Sequence, residues 1–291
     1  MPPLIDEVHR VVYIDGIYLD RKAVVLIARS DKHVLGWYLA RTENSRAWKA
    51  LMNRIPPPDV VVSDGGSGFE KARRGVWPET KVQRCVFHAF CQVKRYTTSR
   101  PKLPAGAQLY MLAKDLLHIK DAGQATAWLE RYSAWRAGWH GFLSEKTLVD
   151  SRYVFTHERL VKARNGLDAL IKKGTLFTYL DSKLASEGAL PATNNKMEGG
   201  VNAPIRQMLR DHRGLSLIRR IKAVFWWCYM HTERPLPPSE LLRVMPTDES
   251  IERYYRNLSE QQQLLDSLPR WGDAVAWREF HNSEPYRMDW D

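Results

Sequence analysis

Apolar runs of strand length, cut by short polar breaks, open the chain, and the pattern turns to a helical period only later. The first run, Val11-Val12-Tyr13-Ile14-Asp15-Gly16-Ile17-Tyr18-Leu19, is β-branched and aromatic, as a buried strand requires, yet carries an acid in its middle. Ala23 to Ala28 and Val34 to Leu39 repeat the signature across hairpin-sized polar breaks, which predicts a three-stranded antiparallel meander. Asn44 and Ser45 can cap a helix whose Ala47, Trp48, Leu51 and Met52 fall at helical spacing before the Pro56-Pro57-Pro58 stop. Asp59 to Ser63 is a fourth strand ending in Asp64-Gly65-Gly66, and strand–helix–strand order favours a parallel return beside the first strand. Ser67 to Arg74 reads as a short helix, and Lys81 to Phe87 as a fifth strand running into a helix with His88 and Cys91.

Beyond Lys102 the strand signals vanish. Leu109, Leu112, Leu116 and Leu117, then Ala127, Trp128, Tyr132, Trp135 and Trp139, then Leu160, Leu167, Leu170 and Ile171 mark successive helices. Residues 103–190 are therefore expected to form an all-helical insertion in a core built from residues 1–102 and 191–235. Trp128, Trp135 and Trp139 share one helical face, which core packing explains better than base stacking. After Pro235, Pro237 and Pro238, residues 236–291 read as an acidic extension, helical in places and without legible chemistry.

Three carboxylates stand out. Asp15, placed among apolar neighbours, must be paired or hold a cation unless it turns to solvent. Asp64 ends a strand predicted to lie about 4.8 Å from the first, so both acids can face one site, although an Asp-Gly turn also accounts for it. Glu198 follows Asn195 by three residues, as in a capping box. Yet Gly199 and Gly200, each costing about 1 kcal/mol inside a helix, follow it directly, and small residues let a metal ion or phosphate backbone come close. If Glu198 only caps, Glu187 is the next acid to test. Cys85-x-x-His88-x-x-Cys91 has a zinc-like spacing, but structural zinc takes four ligands and no second Cys/His pair follows. Cys85 and His88 are read instead as packing or orienting groups near the site.

Charge narrows the partner class. The chain of 291 residues has 44 Lys and Arg against 33 Asp and Glu, a net charge of +11. Residues 247–291 hold ten acids and five Lys/Arg, so the residues before them carry about +16, a field suited to a polyanion. Nine Lys/Arg and one acid lie between Lys71 and Lys102, and Arg206, Arg210, Arg213, Arg219, Arg220 and Lys222 continue the excess. Such stripes beside carboxylates suit a phosphate backbone. Three unpaired-looking cysteines point to a reducing compartment, and no membrane-length apolar run or signal peptide is present, so a cytoplasmic protein is expected.

The order of elements is the ribonuclease H-like layout: α/β, with a mixed five-stranded sheet, flanking helices and a helical insertion. Ile14-Asp15-Gly16, Val62-Ser63-Asp64-Gly65, the Cys85-x-x-His88 pair, and Asn194-Asn195-x-x-Glu198 with Asn202 and Arg206 together resemble bacterial insertion-sequence transposases of the Mutator-like DDE group, from about Val11 to Met230. The resemblance implies Asp15, Asp64 and Glu198 as a metal-binding triad for two Mg²⁺ ions, with Mn²⁺ able to substitute. It also implies cleavage at element ends and strand transfer into target DNA. Cys85, His88, Asn202, Arg206 and Arg210 are the expected supporting or DNA-contacting residues. The expected partners are DNA, in the nucleoid of a bacterial cytoplasm, and further copies of the chain in a dimer or higher assembly. Family members carry an N-terminal DNA-binding region, whereas here the first catalytic strand begins about ten residues from Met1, as in a truncated copy or an alternative start. Two other functions fit the residues: a ribonuclease H-like nuclease that does not join strands, and an inactive DNA-binding remnant. A glycosidase would need a different charge field and sugar-binding aromatics near the acids.

Overall fold

The computed structural model describes residues 6–267 except Glu187, so that acid and the stretch from 268 onward lie outside the described residues. Five strands form one sheet in the order β3-β2-β1-β4-β5: β1 (Val11–Leu19), β2 (Ala23–Arg29), β3 (Val34–Ala40), β4 (Val60–Ser63) and β5 (Lys81–Arg84). The β1–β2 and β2–β3 pairs are antiparallel, β1–β4 and β4–β5 parallel, as the meander and the helical crossover predict. This mixed α/β sheet with flanking helices is a ribonuclease H-like fold. Strands β1 to β4 are apolar at most positions because both faces are covered, whereas the edge strand β5 is largely polar. Val12, Ile14, Val24 and Leu26 pack with Trp48, Phe69 and Trp77 on one face. Val11, Tyr13, Ile17, Val25 and Ile27 join the cluster on the other.

The first face is covered by α1 (Ser45–Met52) and α2 (Ser67–Val76). Asn44 caps α1, its side chain accepting from the Ala47 N–H at 2.9 Å. Next comes α3 (Val86–Thr97) on the second face, and here the fifth strand is shorter than expected, stopping at Arg84. Val86 and Phe87 look like strand residues, but Val86, Ala89, Phe90 and Val93 form one buried helical stripe, and that longer periodicity decides the matter.

The stretch 103–190 contains α4 (Pro104–Asp115), α5 (Ala122–Gly138), α6 (His140–Ser144), α7 (Glu158–Lys172) and α8 (Ser182–Ala185). It is not wholly helical. Strands β6 (Lys146–Val149) and β7 (Arg152–Phe155) pair as a hairpin across Asp150 and Ser151, both left-handed at φ 46° and 64°. Two positive-φ residues between two strands make a type I′ turn. All eight strand residues are exposed, so no inside–outside alternation marks them in the sequence. Trp128 and Trp135 are buried, their indole N–H groups donating to Leu112 C=O at 2.7 Å and Ala105 C=O at 3.1 Å, as core packing requires.

The returning chain covers the β5 edge: Arg84 N–H donates to Thr175 C=O, and the fully buried Gln83 side chain donates to Leu176 C=O and accepts from the Tyr179 N–H. Then α9 (Asn195–Met197), a π-helical turn Glu198–Asn202 and α10 (Ala203–Asp211) run end to end. The following α11 (Leu217–Met230) buries Ile221, Val224 and Cys228, with Leu217, Ile218 and Phe225 partly covered. Two more helices, α12 (Pro238–Val244) and α13 (Asp248–Ser267), bury Leu241 and Ile251. Asp248 meets Lys222 at 2.7 Å and Arg219 at 3.7 Å, so part of the acidic extension neutralises the basic α11. Among the described residues no helix is long and apolar enough to cross a membrane.

Candidate active site

Strand register brings the first two acids together. Val11, Val12 and Tyr13 lie opposite Val60, Val61 and Val62, and the same parallel register run on by two residues sets Asp15 beside Asp64. Asp15 shares the face of β1 on which Tyr13 and Ile17 pack, the face that also receives Met197, Val201 and Ile205. The helical run from α9 to α10 therefore lies over it. Asp15 Oδ1 accepts from the Gly16 N–H at 2.8 Å and Oδ2 from Asn202 Nδ2 at 2.7 Å. Burial, then the charge of Asp64, raises the Asp15 pKa to about 6, with Glu198 adding and the two hydrogen bonds opposing. Burial also raises Asp64, against the pull of Arg84 and His88 and with Glu43 and Glu198 adding.

Glu198 arrives on the π-helical turn. Asn195 and Glu198 form no capping box: the residue at the N-cap is Asn194, and its side chain makes no cap bond. Asn194 is fully buried and is used in tertiary contacts, Nδ2 donating to Ile14 C=O at 3.0 Å and its backbone N–H to Cys85 Sγ at 3.2 Å. Glu198, Asn202 and Arg206 follow one another at four-residue spacing and work on one face of the helix. The Glu198 carboxylate has His88 Nε2 at 3.6 Å and Arg206 Nη1 at 3.4 Å. A Cβ at Gly199 would meet nothing within 4 Å, whereas one at Gly200 would meet Arg29 Nη1 at 2.5 Å. The approach beside Glu198 is thus open at Gly199 only.

Cys85 and His88 act on each other and on the acids. Burial opposes the Cys85 thiolate, but His88 and the Asn194 N–H outweigh it and pull the thiol below its ordinary pKa. Contact with Cys85 raises His88 against burial, and Asp64 and Glu198 raise it further. Cys91 belongs elsewhere, partly buried against the core. Arg210 does not reach the acids: its exposed side chain is turned to Gln207, Nη2 to Oε1, at 2.5 Å.

Two residues at the site, Arg84 and Glu43, escaped the sequence reading, and a third, Asn194, was read without its contact. Arg84 was one of nine cations in the stripe from Lys71 to Lys102, but it is largely buried beside Asp64, and its Nε and Nη1 have no hydrogen-bond partner. Gly65 makes room for it: the backbone there is left-handed at φ 79°, and a Cβ would run into the guanidinium. Arg73 and Arg74 of the same stripe are held by Glu70 at 3.3 and 2.9 Å. Glu43, in the turn before α1, accepts from Tyr18 Oη at 3.0 Å and Trp48 Nε1 at 3.1 Å and adds a fourth acid close to Asp64. Asn194 stood in the quoted motif, but its contact with β1 spans 180 residues and has no local signal.

The family model described as Transposase, Mutator family, matches residues 5–151, a stretch that holds Asp15, Asp64, Cys85 and His88 and ends before Glu198. A probable transposase for an ISRM3-like insertion sequence element of Sinorhizobium fredii (strain NBRC 101917 / NGR234) is 26% identical over 166 residues, covering 52% of this chain and 40% of that protein. The ISRM3 transposase of Rhizobium meliloti (strain 1021) matches to the same extent. The IS905 transposase of Lactococcus lactis subsp. lactis (strain IL1403) is 24% identical over 164 residues, 50% of this chain and 41% of that one. The matched chain thus spans about two fifths of the length of these relatives. With the family model covering half of its residues, and the sheet order that its motifs predict, the chain belongs to the Mutator family of transposases.

Proposed function

We propose that this chain carries out divalent-metal-dependent phosphodiester chemistry on DNA, cleaving at element ends and transferring the strand, with Asp15, Asp64 and Glu198 as metal ligands. The observation that carries the reading is a pair of partly buried acids, one within β1 and one directly after the parallel β4, each raised by burial and by nearby acid charge, with a third acid held over them. Arg84 and His88 offset only part of the charge on Asp64, whose pKa stays raised, and a bound cation would offset the rest. Among the described residues the ligand oxygens of the three acids do not all lie within 4.8 Å of one another, so the reading takes its support from the burial of the two aspartates and the mutual electrostatics of the acids. Two bound Mg²⁺ or Mn²⁺ ions would supply Lewis-acid activation of the attacking and leaving oxygens. The protein's own groups do the positioning. Asn202 and the Gly16 N–H fix the plane of the Asp15 carboxylate, and His88 and Arg206 hold Glu198 toward the same site. Arg84, buried beside Asp64 with two unpartnered nitrogens, offsets part of the charge of that acid. Residues 1–102 and 191–235 act as the catalytic core in this reading, with 103–190 as its insertion and 236–291 as an extension.

The test is a nicking and strand-transfer assay on DNA with Mg²⁺ or Mn²⁺. Wild type should nick and join, while Asp64→Asn should bind DNA and do neither. Residual Asp64→Asn activity within tenfold of wild type, about 1.4 kcal/mol of transition-state stabilisation, excludes Asp64 as a ligand. Nicking with free 3′-hydroxyl donor DNA but no joined product would reduce the activity to that of a nuclease.

A further inference from the structure

About 20 Å along β1 from Asp15, by strand rise, two imidazoles and a carboxylate converge. Glu7 and His9 lie on the segment leading into β1, and His33 closes the Ser30–His33 turn between β2 and β3, where the Ser30 N–H donates to His33 C=O at 2.9 Å. One ligand atom from each of the three lies within 4.8 Å of the other two, the only such group of three or more among the described residues. The imidazoles meet edge to face, centroids 5.8 Å apart and planes at 76°. His9 Nε2 is buried, has no hydrogen-bond partner, and stands 3.8 Å from Glu7 Oε2, beyond hydrogen-bond reach. A buried ring nitrogen left without a partner is costly. The Glu7 side chain is 64% exposed and can swing in, while the His9 side chain is 11% exposed and is held. Glu233 lies close enough to act on His9.

We propose that Glu7, His9 and His33 form a second metal site, for a borderline transition-metal ion such as Zn²⁺ or Co²⁺ and not for Mg²⁺. Two imidazoles with a carboxylate are the donor set of zinc and its neighbours, with bonds of about 2.0–2.2 Å, whereas magnesium takes oxygen ligands. The ion ties the segment before β1 to the β2–β3 turn, which is itself pinned to the end of α11 through Val34 N–H and His231 C=O at 2.8 Å. It thus clamps the strand that carries Asp15 without touching the acids.

Cobalt is the probe. The full chain, freed of metal, is titrated with Co²⁺ alone, alongside a variant with Asp15→Asn, Asp64→Asn and Glu198→Gln that disables the acidic site. The acid-disabled variant should gain visible ligand-field absorption saturating at one equivalent, abolished by equimolar Zn²⁺ and not by excess Mg²⁺, and wild type should show the same absorption when excess Mg²⁺ holds its acidic site. His33→Gln and Glu7→Gln should each weaken Co²⁺ binding at least tenfold while leaving metal-free melting unchanged; Glu7 is exposed, so its variant keeps the test valid should His33→Gln unfold. The proposal is overturned if no absorption develops, if the signal is lost with the three acids, or if Glu7→Gln binds Co²⁺ like wild type. Because the readout needs no DNA and survives loss of the acids, it stands or falls apart from the catalytic proposal.

Discussion

Replacing Asp15 with Asn isolates the electrostatic cost of the acid pair. Burial and Asp64 raise the Asp15 pKa from 3.8 to about 6. The folded chain therefore holds that proton about 2 units more tightly than the unfolded chain does, a difference of about 3 kcal/mol at 1.36 kcal/mol per unit. Because the folded pKa lies above the unfolded one, the associated stability is fully present below pH 3.8 and is lost as the pH rises through 6. Asparagine has no charge to lose. Its hydrogen bonds cost little, since Asn202 Oδ1 is buried without a partner, and turning the Asn202 amide over lets that oxygen accept from the introduced amide nitrogen. Allowing about 1 kcal/mol for imperfect geometry, Asp15→Asn should be about 2 kcal/mol more stable than wild type at pH 8 in metal-free buffer. That corresponds to a melting temperature about 4–8 °C higher. The gap should close by pH 4, and Mg²⁺ should narrow it at pH 8 by stabilising only the wild type. Thermal melts by circular dichroism from pH 4 to 8, with chelator and with Mg²⁺, read all of this. A variant that melts below wild type at pH 8, or by the same margin at every pH, refutes the reasoning.

Three further outcomes are expected. Glu198→Gln should fold with near wild-type stability and lose Mg²⁺-dependent nicking by well over tenfold, since an amide is a poor magnesium ligand; near wild-type strand transfer would move the third ligand to another acid. DNA affinity should fall steeply with salt, by about 0.9 in log–log slope per phosphate engaged, and a flat dependence in a binding titration would show that the exposed Arg210, Arg213 and Arg219 do not meet the backbone. Trp128→Ala should cost about 3–5 kcal/mol, because the indole is fully buried and donates to Leu112 C=O. A shift in denaturant midpoint worth less than about 1 kcal/mol would mean that α4 and α5 do not depend on it.

The sheet was legible because strand-length apolar runs separated by two to four polar residues admit few pairings, and a helix between two strands fixes the hand and direction of return. What local pattern could not supply were outcomes of competition. Val86 and Phe87 satisfy a strand by composition and a helix by spacing, and only contact with the second face of the sheet decides for α3. The β6–β7 hairpin fails in the opposite way: Thr147, Leu148, Val149, Tyr153, Val154 and Phe155 are strand formers, but with both faces exposed there is no polar side to alternate with.

At the site, the acids announced themselves by breaking their surroundings, a charge inside an apolar strand and a carboxylate before two glycines. Their supports could not do so. Asn202 and Arg206 came only through the family resemblance; their four-residue spacing from Glu198 does not aim them, and the π-helical turn, which has no sequence signature, changes where each side chain points. Arg84 looked like one more surface cation because it falls in a stretch, Lys71 to Lys102, with nine Lys/Arg and one acid. Its burial follows from Gly65, 19 residues earlier, whose missing Cβ leaves the space the guanidinium fills. A charge that is buried for want of a single atom elsewhere is the kind of feature that composition counts as surface and only packing can assign to the acids. For the same reason Gly65→Ala, which leaves every charged group in place, should displace Arg84, free Asp64 from the cation that opposes its burial, and raise the Asp64 pKa further. In metal-free protein the consequence is a stability loss that grows as the pH rises, beyond the strain of an alanine at φ 79°. A loss of equal size at pH 5 and pH 8 would reduce Gly65 to a backbone effect and detach Arg84 from the electrostatics of the site.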